Sequence, residues 1–480
     1  MQDEAAEDYG RSWYAATAVA APERPPLAAD LDVDVCVIGG GLAGLTAARE
    51  IARLGWSVVV LEEKRVAWSA SGRNCGFVLP GFAADIIGIV DRLGLDQAKK
   101  LWALADAGLE YVRASIDECN MADVQPRRGW LDVSKVDTGD DMIALVGMLG
   151  QEFGAAVEGW PTERVRDVLR SERYFHAIYY PNAFHIHPLN YALGLARAAE
   201  EAGARIFEHT RALEIDPAGV RKRVLTPAAL VRADHVVLAG NTLIAGLMPQ
   251  LAETLLPVTS YVAVTEPLGE RLGHAIAYSG AVSDSRFANY HYRIVDGDRL
   301  MWAGSGGPFA RDPRRVANTF KAAIARTYPQ LGDVAIAYAW AGTMGFAVHR
   351  MPQIGEVSPG LWIASAFGGH GLNTSAIAGN LIARAIAEND DTWREFVPFN
   401  LVWAGGRLGR VFAQAAFAVR NWQEEIAAMR AQRRERSRFA KPRPSETAAT
   451  QAKKKPQAGG ARPASKPSLR PRSRNAKPLE

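Results

Sequence analysis

The sequence predicts an α/β fold whose parallel sheet is interleaved with a second, α+β domain built on an antiparallel sheet. Three observations predict it. Residues 33–62 follow the order strand, glycine-rich turn, helix, strand, and residues 361–387 repeat a strand, a glycine turn and a helix. Residues 257–265 and 290–303 alternate apolar and polar side chains between these units. Strand–helix–strand units build parallel sheets, whereas such alternation indicates antiparallel strands.

The first unit carries the most specific motif. Gly39 permits a tight turn, Gly41 lets the backbone approach phosphates, and Gly44 lets the helix pack against the strand. The helix N-terminus then offers free N–H groups to an anion. Glu62 directly follows the second strand, roughly 20 residues after the glycine turn. A carboxylate at this position accepts hydrogen bonds from ribose hydroxyls. The unit predicts a dinucleotide site, and the acid disfavours a 2′-phosphate, which leaves NAD and FAD open.

The remaining elements follow from local pattern. Three prolines block regular structure in residues 1–30. Residues 84–125 show helical periodicity, and residues 189–209 read as a helix followed by a strand. Residues 233–241 form an apolar strand that ends in Gly240-Asn241, which we expect at a ligand-facing edge of the sheet.

Two discontinuous domains are therefore expected. The predicted ranges are 1–30 for an N-terminal extension, 31–80 plus 189–250 plus 350–400 for the dinucleotide-binding domain, 81–188 plus 251–349 for the substrate domain, 401–438 for a docked C-terminal helical segment, and 439–480 for a disordered basic tail. The tail has almost no large apolar residue, so burial cannot offset its ordering entropy. From Arg433 to Glu480 the net charge is +12, against +4 for the whole chain, so the remainder carries −8.

The composition is that of a globular protein, with 480 residues of which 48% are hydrophobic and 22% charged. No apolar run approaches the roughly 18–20 residues of a membrane span. The acidic N-terminus lacks the apolar core of a secretory signal. Three dispersed cysteines are too few for a disulfide framework. We therefore expect a cytoplasmic protein without a transmembrane segment.

Four segments together resemble the FAD-dependent oxidoreductases of the D-amino-acid oxidase/glycine oxidase superfamily, and within it the gamma-glutamylputrescine oxidoreductase-like branch. They are the turn at 39–44 with Glu62, the loop at 71–74, the strand ending at 238–241, and the turn at 368–374. The resemblance extends over about residues 10–430. The second and fourth segments at this separation make it specific. It implies a Rossmann-like FAD-binding domain with an interleaved antiparallel-sheet substrate domain.

The resemblance also implies where FAD binds. Glu62 would hold the adenosine ribose, the strand near Ala212 would contact the adenine through its backbone, and the turn at 368–371 would lie near the flavin O2. The cofactor-binding residues that it implies are Gly39, Gly41, Leu42, Ala43, Gly44, Glu62, Glu63, Lys64, Arg65, Ala70, Ser71, Gly72, Arg73, Asn74, Cys75, Ala212, Gly240, Asn241, Gly368, Gly369, His370, Gly371, Leu372, Asn373 and Thr374. Cys75 replaces a glycine usual in the branch, and we interpret it as a tolerated small residue rather than a reactive thiol.

Two departures from relatives refine the expectation. Some relatives attach flavin to a cysteine in the segment resembling 340–350 or to a histidine near 67–71, and this chain has neither. We therefore expect non-covalent FAD. Sarcosine-oxidase relatives hold the substrate carboxylate with a lysine at the position of Asn373. The absence of this lysine favours a substrate amine without a nearby carboxylate. Arg73 and Arg293 are possible anion clamps. The favoured interpretation is that Arg73 structures the flavin loop and that Arg293 lies on a sheet surface or between the domains.

In this class the flavin takes a hydride from the carbon beside a neutral amine, and water hydrolyses the resulting imine. No strong general base is required, so the catalytic residues stay unknown. The substrate-side candidates, each of which also fits core packing, are Tyr261, Tyr290, Tyr292 and Trp340, with His370 beside the flavin. His185 and His187 have no third ligand nearby in sequence, so no metal is expected.

The predicted function is FAD-dependent oxidation of an amine, either a polyamine derivative such as gamma-glutamylputrescine or an amino acid. Oxygen is the expected electron acceptor, giving hydrogen peroxide. An NAD-dependent dehydrogenase is one alternative, which the 71–74 loop and the 368–371 turn disfavour. An RNA-associated flavoprotein is another, since the basic tail suits weak contacts with nucleic acid or anionic surfaces. Without aromatic residues for base stacking, a solvated extension is the favoured interpretation of the tail.

Overall fold

The computed structural model describes residues 9–284 and 290–440. The strands are β1 (Leu31–Ile38), β2 (Val58–Leu61), β3 (Phe77–Val78), β4 (Arg127–Val133), β5 (Glu158–Trp160), β6 (Ala177–His185), β7 (Arg205–Phe207), β8 (Glu214–Asp216), β9 (Lys222–Leu225), β10 (Leu230–Leu238), β11 (Leu256–Thr265), β12 (Ala281–Asp284), β13 (Tyr290–Val295), β14 (Arg299–Gly307), β15 (Ile336–Phe346), β16 (Gln353–Ser358) and β17 (Leu361–Ser365).

The helices are α1 (Trp13–Thr17), α2 (Leu42–Arg53), α3 (Ala70–Arg73), α4 (Ile86–Leu93), α5 (Leu95–Glu118), α6 (Gly139–Phe153), α7 (Thr162–Leu169), α8 (Pro188–Glu201), α9 (Pro249–Ala252), α10 (Glu270–Ala275), α11 (Pro313–Thr327), α12 (Gly371–Glu388) and α13 (Gly406–Ala440). Short 3₁₀ turns occupy Ala122–Val124, Asn241–Gly246, Pro329–Leu331, Gly368–His370 and Asp391–Phe396.

Among the residues that the structure describes, the first sheet has eight strands, six of them in the order β16-β17-β10-β1-β2-β7. The neighbours from β17 to β7 pair in parallel, and β16 closes one edge in the antiparallel direction. β9 pairs with the first half of β10 and carries β8. Because β17, β10, β1 and β2 are parallel, their carboxyl ends meet at one edge, where α/β folds bind ligands.

Helices and loops bury both faces of this sheet, which explains the near-continuous apolar strands. Val35 and Val37 of β1 face the principal core, whereas Cys36 and Ile38 face another cluster. In the principal core α12 lies close to α2, since a Cβ built at Gly379 would lie 2.6 Å from Thr46 Cβ. The glycine therefore permits this helix contact, and the contact fixes α2 against the sheet.

In the described ranges the second sheet has nine strands, eight of them in the order β15-β11-β14-β13-β12-β4-β6-β3, and β5 pairs with β6. All its pairs are antiparallel except β12 with β4. We call inner the face whose side chains, such as Val262, Ala303 and Trp340, join the principal core. The outer face buries Trp302 with Phe320 of α11 in a separate core. The predicted fold class, a parallel sheet with an interleaved antiparallel one, is confirmed.

The expectation that regular structure is blocked in residues 1–30 is wrong at Trp13–Thr17, which form α1 ahead of the three prolines. The domain ranges remain a prediction. Strands of the first sheet come from residues 31–61, 205–238 and 353–365, and strands of the second from 77–185 and 256–346. Apart from the last two residues of α13, the predicted tail at 439–480 lies outside the described residues. Within the described ranges, no helix has both the length and the hydropathy needed to cross a bilayer.

Candidate cofactor and active site

The glycine turn between β1 and α2 forms a close-packed cradle. Gly39 has φ +111°, and a Cβ there would meet the carbonyl of Ala239 at 2.9 Å. A Cβ at Gly44 would lie 2.0 Å from the Gly39 carbonyl oxygen, and one at Gly41 would lie 2.9 Å from Ser71 Oγ. Gly39 and Gly44 admit no Cβ because the clashing atoms belong to the backbone, whereas at Gly41 a Cβ would displace only the Ser71 hydroxyl. The N-terminus of α2 has no side-chain cap at Gly41, so its N–H groups and dipole favour an anion here.

Glu62 lies at the carboxyl end of β2 and faces this cradle. Its Oε2 accepts a hydrogen bond from the Gly40 N–H at 2.7 Å, and its Oε1 accepts one from the Lys64 N–H at 2.9 Å. Burial raises the pKa of the carboxyl above its usual value, while these two bonds lower it. Each carboxylate oxygen can accept a further bond. The backbone therefore orients Glu62 and leaves it able to accept from hydroxyl donors such as those of ribose.

The neighbours of Glu62 differ in role. Glu63 pairs with Arg211 at 3.8 Å, next to Ala212. Arg65 instead turns inward, where its Nε lies 2.8 Å from Oε2 of the fully buried Glu208. This places the guanidinium in a buried ion-pair cluster, which favours a structural role for Arg65.

The loop after β2 lies beside the cradle. Ser71 Oγ accepts a hydrogen bond from the first N–H of α2, at Leu42, over 3.0 Å. Asn74 Nδ2 donates to the Ser71 carbonyl at 2.8 Å, and its Oδ1 accepts from the Gly76 N–H at 2.8 Å. The loop is thus held from within.

Arg73 is part of the same loop. Its side chain donates to the carbonyls of Trp68 and Tyr9 at 2.9 and 3.2 Å. These bonds support the structural interpretation of Arg73. The Arg73 carbonyl accepts from Trp340 Nε1 at 3.0 Å, which ties the loop to the second sheet.

The second glycine turn closes the site from β17. Gly368 has φ +56°, and a Cβ there would lie 2.8 Å from both Ala83 Cβ and Phe346 Cε1. The long helix α12 then starts at Gly371 without a side-chain cap. From the end of β10, Asn241 Oδ1 accepts from Ser365 Oγ at 3.3 Å. The first and last parts of the predicted motif set therefore meet at one sheet edge.

Asn373 points away from this edge. It is fully buried, and its Nδ2 donates to the Gly81 carbonyl at 3.0 Å and to the Ala105 carbonyl of α5 at 3.5 Å. Thr374 Oγ1 likewise donates to the His370 carbonyl at 2.6 Å. Both side chains hold the start of α12 in place.

A histidine that the sequence did not single out lies on the inner face. Trp130 Nε1 donates to Ser283 Oγ at 2.9 Å, and Ser283 Oγ lies 2.7 Å from His291 Nδ1. The serine oxygen has two acceptor positions and one proton, so it can bond either tautomer of His291 while it accepts from the indole. Burial lowers the pKa of His291 to about 4. Strand pairing between β12 and β13 builds this relay, and local sequence carries no signal for it.

His370 lies near His291, and both imidazoles have a lowered pKa. Burial first, and then the nearby His291 and Arg350, lower the pKa of His370 to about 4. A hydrogen bond to the Pro80 backbone opposes this shift, while Nδ1 is buried without a described partner. Both imidazoles are therefore neutral at pH 7.

Arg293 lies on the inner face beside the loop. Its side chain is almost wholly buried, and it bonds His185 Nδ1 at 2.7 Å and the Tyr14 hydroxyl at 3.1 Å. Among the described residues no carboxylate lies within 4.0 Å of it. Burial first, and then this charge, lower the pKa of His185 well below its usual value. Arg293 thus joins the N-terminal helix α1 to the second sheet.

The aromatic candidates fall on different faces. Trp340 lies in the principal core, on the inner face. Tyr261 and Tyr292 belong to the outer-face core, against which Tyr290 also packs. Tyr292 stacks on Trp302 at 4.6 Å between ring centroids. Their place favours core packing for the three tyrosines, whereas Trp340, also buried, is joined to the cofactor loop through the Arg73 carbonyl.

Cys75 is half-buried beside Gly76, and burial raises the pKa of its thiol above the usual value, although Arg293 lowers it. A raised pKa favours the unreactive interpretation. Within the described part of the chain, no group of three or more His, Cys, Asp or Glu side chains lies together as a metal site would require.

Two strand–turn–helix units that share a sheet edge, with a carboxylate oriented for a ribose, define a dinucleotide-binding protein. Its family is shown by comparison. Residues 34–385 match the family model DAO, described as FAD dependent oxidoreductase. The chain belongs to this family of FAD-dependent enzymes. The predicted family resemblance and the choice of FAD over NAD are confirmed.

Individual relatives support the assignment. The chain is 32% identical over 411 residues to gamma-glutamylputrescine oxidoreductase of Escherichia coli, covering 84% of this chain and 95% of the relative. It is 30% identical over 399 residues to the probable oxidoreductase OrdL of Haemophilus influenzae, covering 82% and 91%. The crystal structure of glycine oxidase from Geobacillus kaustophilus matches with TM-score 0.65 at 20% identity, covering 77% and 98%. That last likeness shows the fold.

The residues present fit FAD. The cradle leaves no room for a Cβ at Gly39 and Gly44, and glycine at 41 keeps its surface open, so that backbone N–H groups can approach a pyrophosphate. Glu62 retains acceptor capacity, and the uncapped start of α12 offers a positive dipole end to a flavin ring.

Proposed function

We propose that this protein oxidises an amine by transferring a hydride from the carbon beside the nitrogen to FAD, giving an imine that water hydrolyses. FAD supplies the hydride-accepting chemistry when bound. The observation that carries the proposal is the convergence of the two glycine turns and Glu62 at one sheet edge, beside the inner face of the second sheet. The bonded contact between Trp340 and the Arg73 carbonyl brings that face to the cofactor loop.

Each part of the edge has a proposed role. The Gly39–Gly44 turn would hold the pyrophosphate, Glu62 would accept bonds from the adenosine ribose, and the 70–75 loop would contact the flavin. The start of α12 would stabilise negative charge on the ring. The other positions implied by the resemblance contribute backbone or packing contacts, with Arg65, Asn373 and Thr374 acting through structure.

The surroundings support an amine as substrate. His291 and His370 are neutral, so they add no cation beside a substrate amine, which must be neutral to give up hydride. Trp340 offers an aromatic wall that accepts an amine or its cation. Asn373 is buried against α5 and supplies no carboxylate clamp. We therefore propose a polyamine derivative such as gamma-glutamylputrescine, the compound in the name of the Escherichia coli relative.

We propose non-covalent FAD, because residues 67–71 contain no histidine and residues 340–350 no cysteine. Acid precipitation should release all yellow colour into the supernatant. Colour retained in the washed pellet would contradict the proposal.

Oxygen is the proposed acceptor, and the reducing cytoplasm is the proposed location. Stoichiometric hydrogen peroxide in air would support an oxidase. Turnover with an artificial dye, without peroxide in air, would assign a dehydrogenase instead.

The function is tested by anaerobic bleaching of the flavin at about 450 nm, the oxidised-flavin band expected of this cofactor, with a panel of amines. The panel contains gamma-glutamylputrescine, putrescine, sarcosine and glycine. Trp340→Phe should change the rate of bleaching, whereas the matched outer-face variant Trp302→Phe should change stability and leave the rate unaltered. Equal effects of both variants on the rate would remove the inner face from the site.

A further inference from the structure

The C-terminal helix α13 leaves a row of large apolar side chains in solvent. We call this row the apolar stripe, and its members with their exposed fractions are Leu408 (68%), Val411 (55%), Phe412 (73%), Val419 (54%), Trp422 (66%) and Met429 (50%). On a regular α-helix these positions span an arc of about 100°. The helix contacts the rest of the protein elsewhere on its circumference, since Ala428 is buried and Glu425 pairs with Arg173 at 3.7 Å.

The stripe continues before the helix begins. Trp403 is 63% exposed, and its ring lies 3.7 Å from a Cβ built at Gly406. Soluble monomers rarely expose contiguous apolar patches larger than a few hundred Å², and such patches mark interaction surfaces. The chemistry proposed above uses none of these residues, so the stripe needs a separate explanation.

The positive charge on the same helix indicates which kind of partner the apolar stripe fits. Arg407, Arg420 and Arg430 are exposed on the same helix. The chain from Arg433 onward adds a net charge of +12, whereas the rest of the protein carries −8. Pairing of two stripes in a dimer would bring these like charges together, which is unfavourable. An anionic surface complements them.

We propose that α13 lies on the surface of an anionic lipid bilayer. The apolar stripe would enter the boundary between headgroups and acyl chains, Trp403 and Trp422 would sit at headgroup level, and the arginines would contact lipid phosphates. A helix with one apolar face and a basic surround binds in the plane of the interface and does not span it. This proposal is independent of the substrate.

Vesicle co-sedimentation of the full-length, FAD-loaded protein tests it. Vesicles of phosphatidylcholine alone are compared with vesicles that contain about 30 mol% phosphatidylglycerol, a surface charge that attracts polybasic segments. The test variant is Phe412→Gln/Trp422→Gln. The matched control is Ile143→Gln/Val220→Gln, which changes two apolar residues that are 66% and 86% exposed elsewhere.

The proposal predicts binding to anionic vesicles and not to neutral ones, with loss of at least about tenfold in affinity in the test variant and none in the control. Binding should also fall at about 0.5 M salt, because screening weakens the arginine contacts. Equal binding by both variants, or no binding to either vesicle, would overturn it. A dimer in light scattering that Phe412→Gln/Trp422→Gln converts to a monomer, without vesicle binding, would assign the stripe to a second copy of the chain.

Discussion

Replacing Gly44 with alanine tests the cradle on which the cofactor assignment depends. The new Cβ would lie 2.0 Å from the Gly39 carbonyl oxygen, 3.1 Å from Val37 Cγ1 and 3.3 Å from Ala239 Cβ. The nearest atom belongs to the backbone, so no side-chain rotation relieves the clash, and α2 must move away from β1. Overpacking of this kind costs about 1–3 kcal/mol of unfolding free energy.

The same movement carries the N-terminus of α2 away from the proposed pyrophosphate position. Loss of one hydrogen bond to a charged group costs about 1.5–3 kcal/mol, which corresponds to a dissociation constant for FAD that is about 10- to 150-fold higher. Fluorescence titration of the apoprotein with FAD measures this constant, and thermal unfolding of the apoprotein measures the packing cost separately.

The matched control is Gly150→Ala in α6, where a Cβ meets nothing within 4 Å. Alanine in an exposed helix interior should raise stability by up to about 1 kcal/mol and leave FAD binding unchanged. Wild-type FAD affinity and unfolding temperature in Gly44→Ala would refute the cradle argument.

Three further outcomes are expected. Glu62→Gln should raise the dissociation constant for FAD about tenfold, because the amide cannot accept from both the Gly40 and Lys64 N–H groups and one is left unpaired; unchanged titration would refute this. The folded protein should lose stability as pH falls from 6.5 to 4. His291 and His370 have pKa values of about 4 in the folded protein and about 6.5 when unfolded, so the unfolded state binds more protons in this window. His291→Gln should therefore reduce the slope of unfolding temperature against pH. Asn373→Lys should destabilise the fold by about 3 kcal/mol, measured by denaturant unfolding, because it buries an unpaired charge. A stable variant that binds amines carrying a carboxylate would contradict the assigned direction of the Asn373 side chain.

Much of the fold is predictable from the sequence because its signals are local. The apolar strand before Gly39 and the strand before Gly368 each precede a turn that only glycine can form, and parallel pairing then brings both turns to one edge. The long helix at 371–388 and the alternating strands follow from periodicity in the same way.

The side-chain arrangement at the site depends on distant parts of the chain. Alternation indicates that Tyr290 and Tyr292 share a face, and the packing of α11 decides that this face is the outer one. Arg65 lies next to the cofactor motif in sequence, but Glu208 holds it through a buried ion pair. His291 is held through its Nδ1 by Ser283 on the neighbouring strand. Pairings between such distant residues leave no local pattern to detect.

Hydride transfer from an amine to FAD is the reaction proposed for this enzyme. It is tested by anaerobic mixing of the purified, FAD-loaded protein with gamma-glutamylputrescine. We expect full bleaching of the flavin, with one equivalent of imine or of the aldehyde that its hydrolysis gives. Flavin that stays oxidised with gamma-glutamylputrescine and with every other amine of the panel, yet is reduced by dithionite, would contradict it.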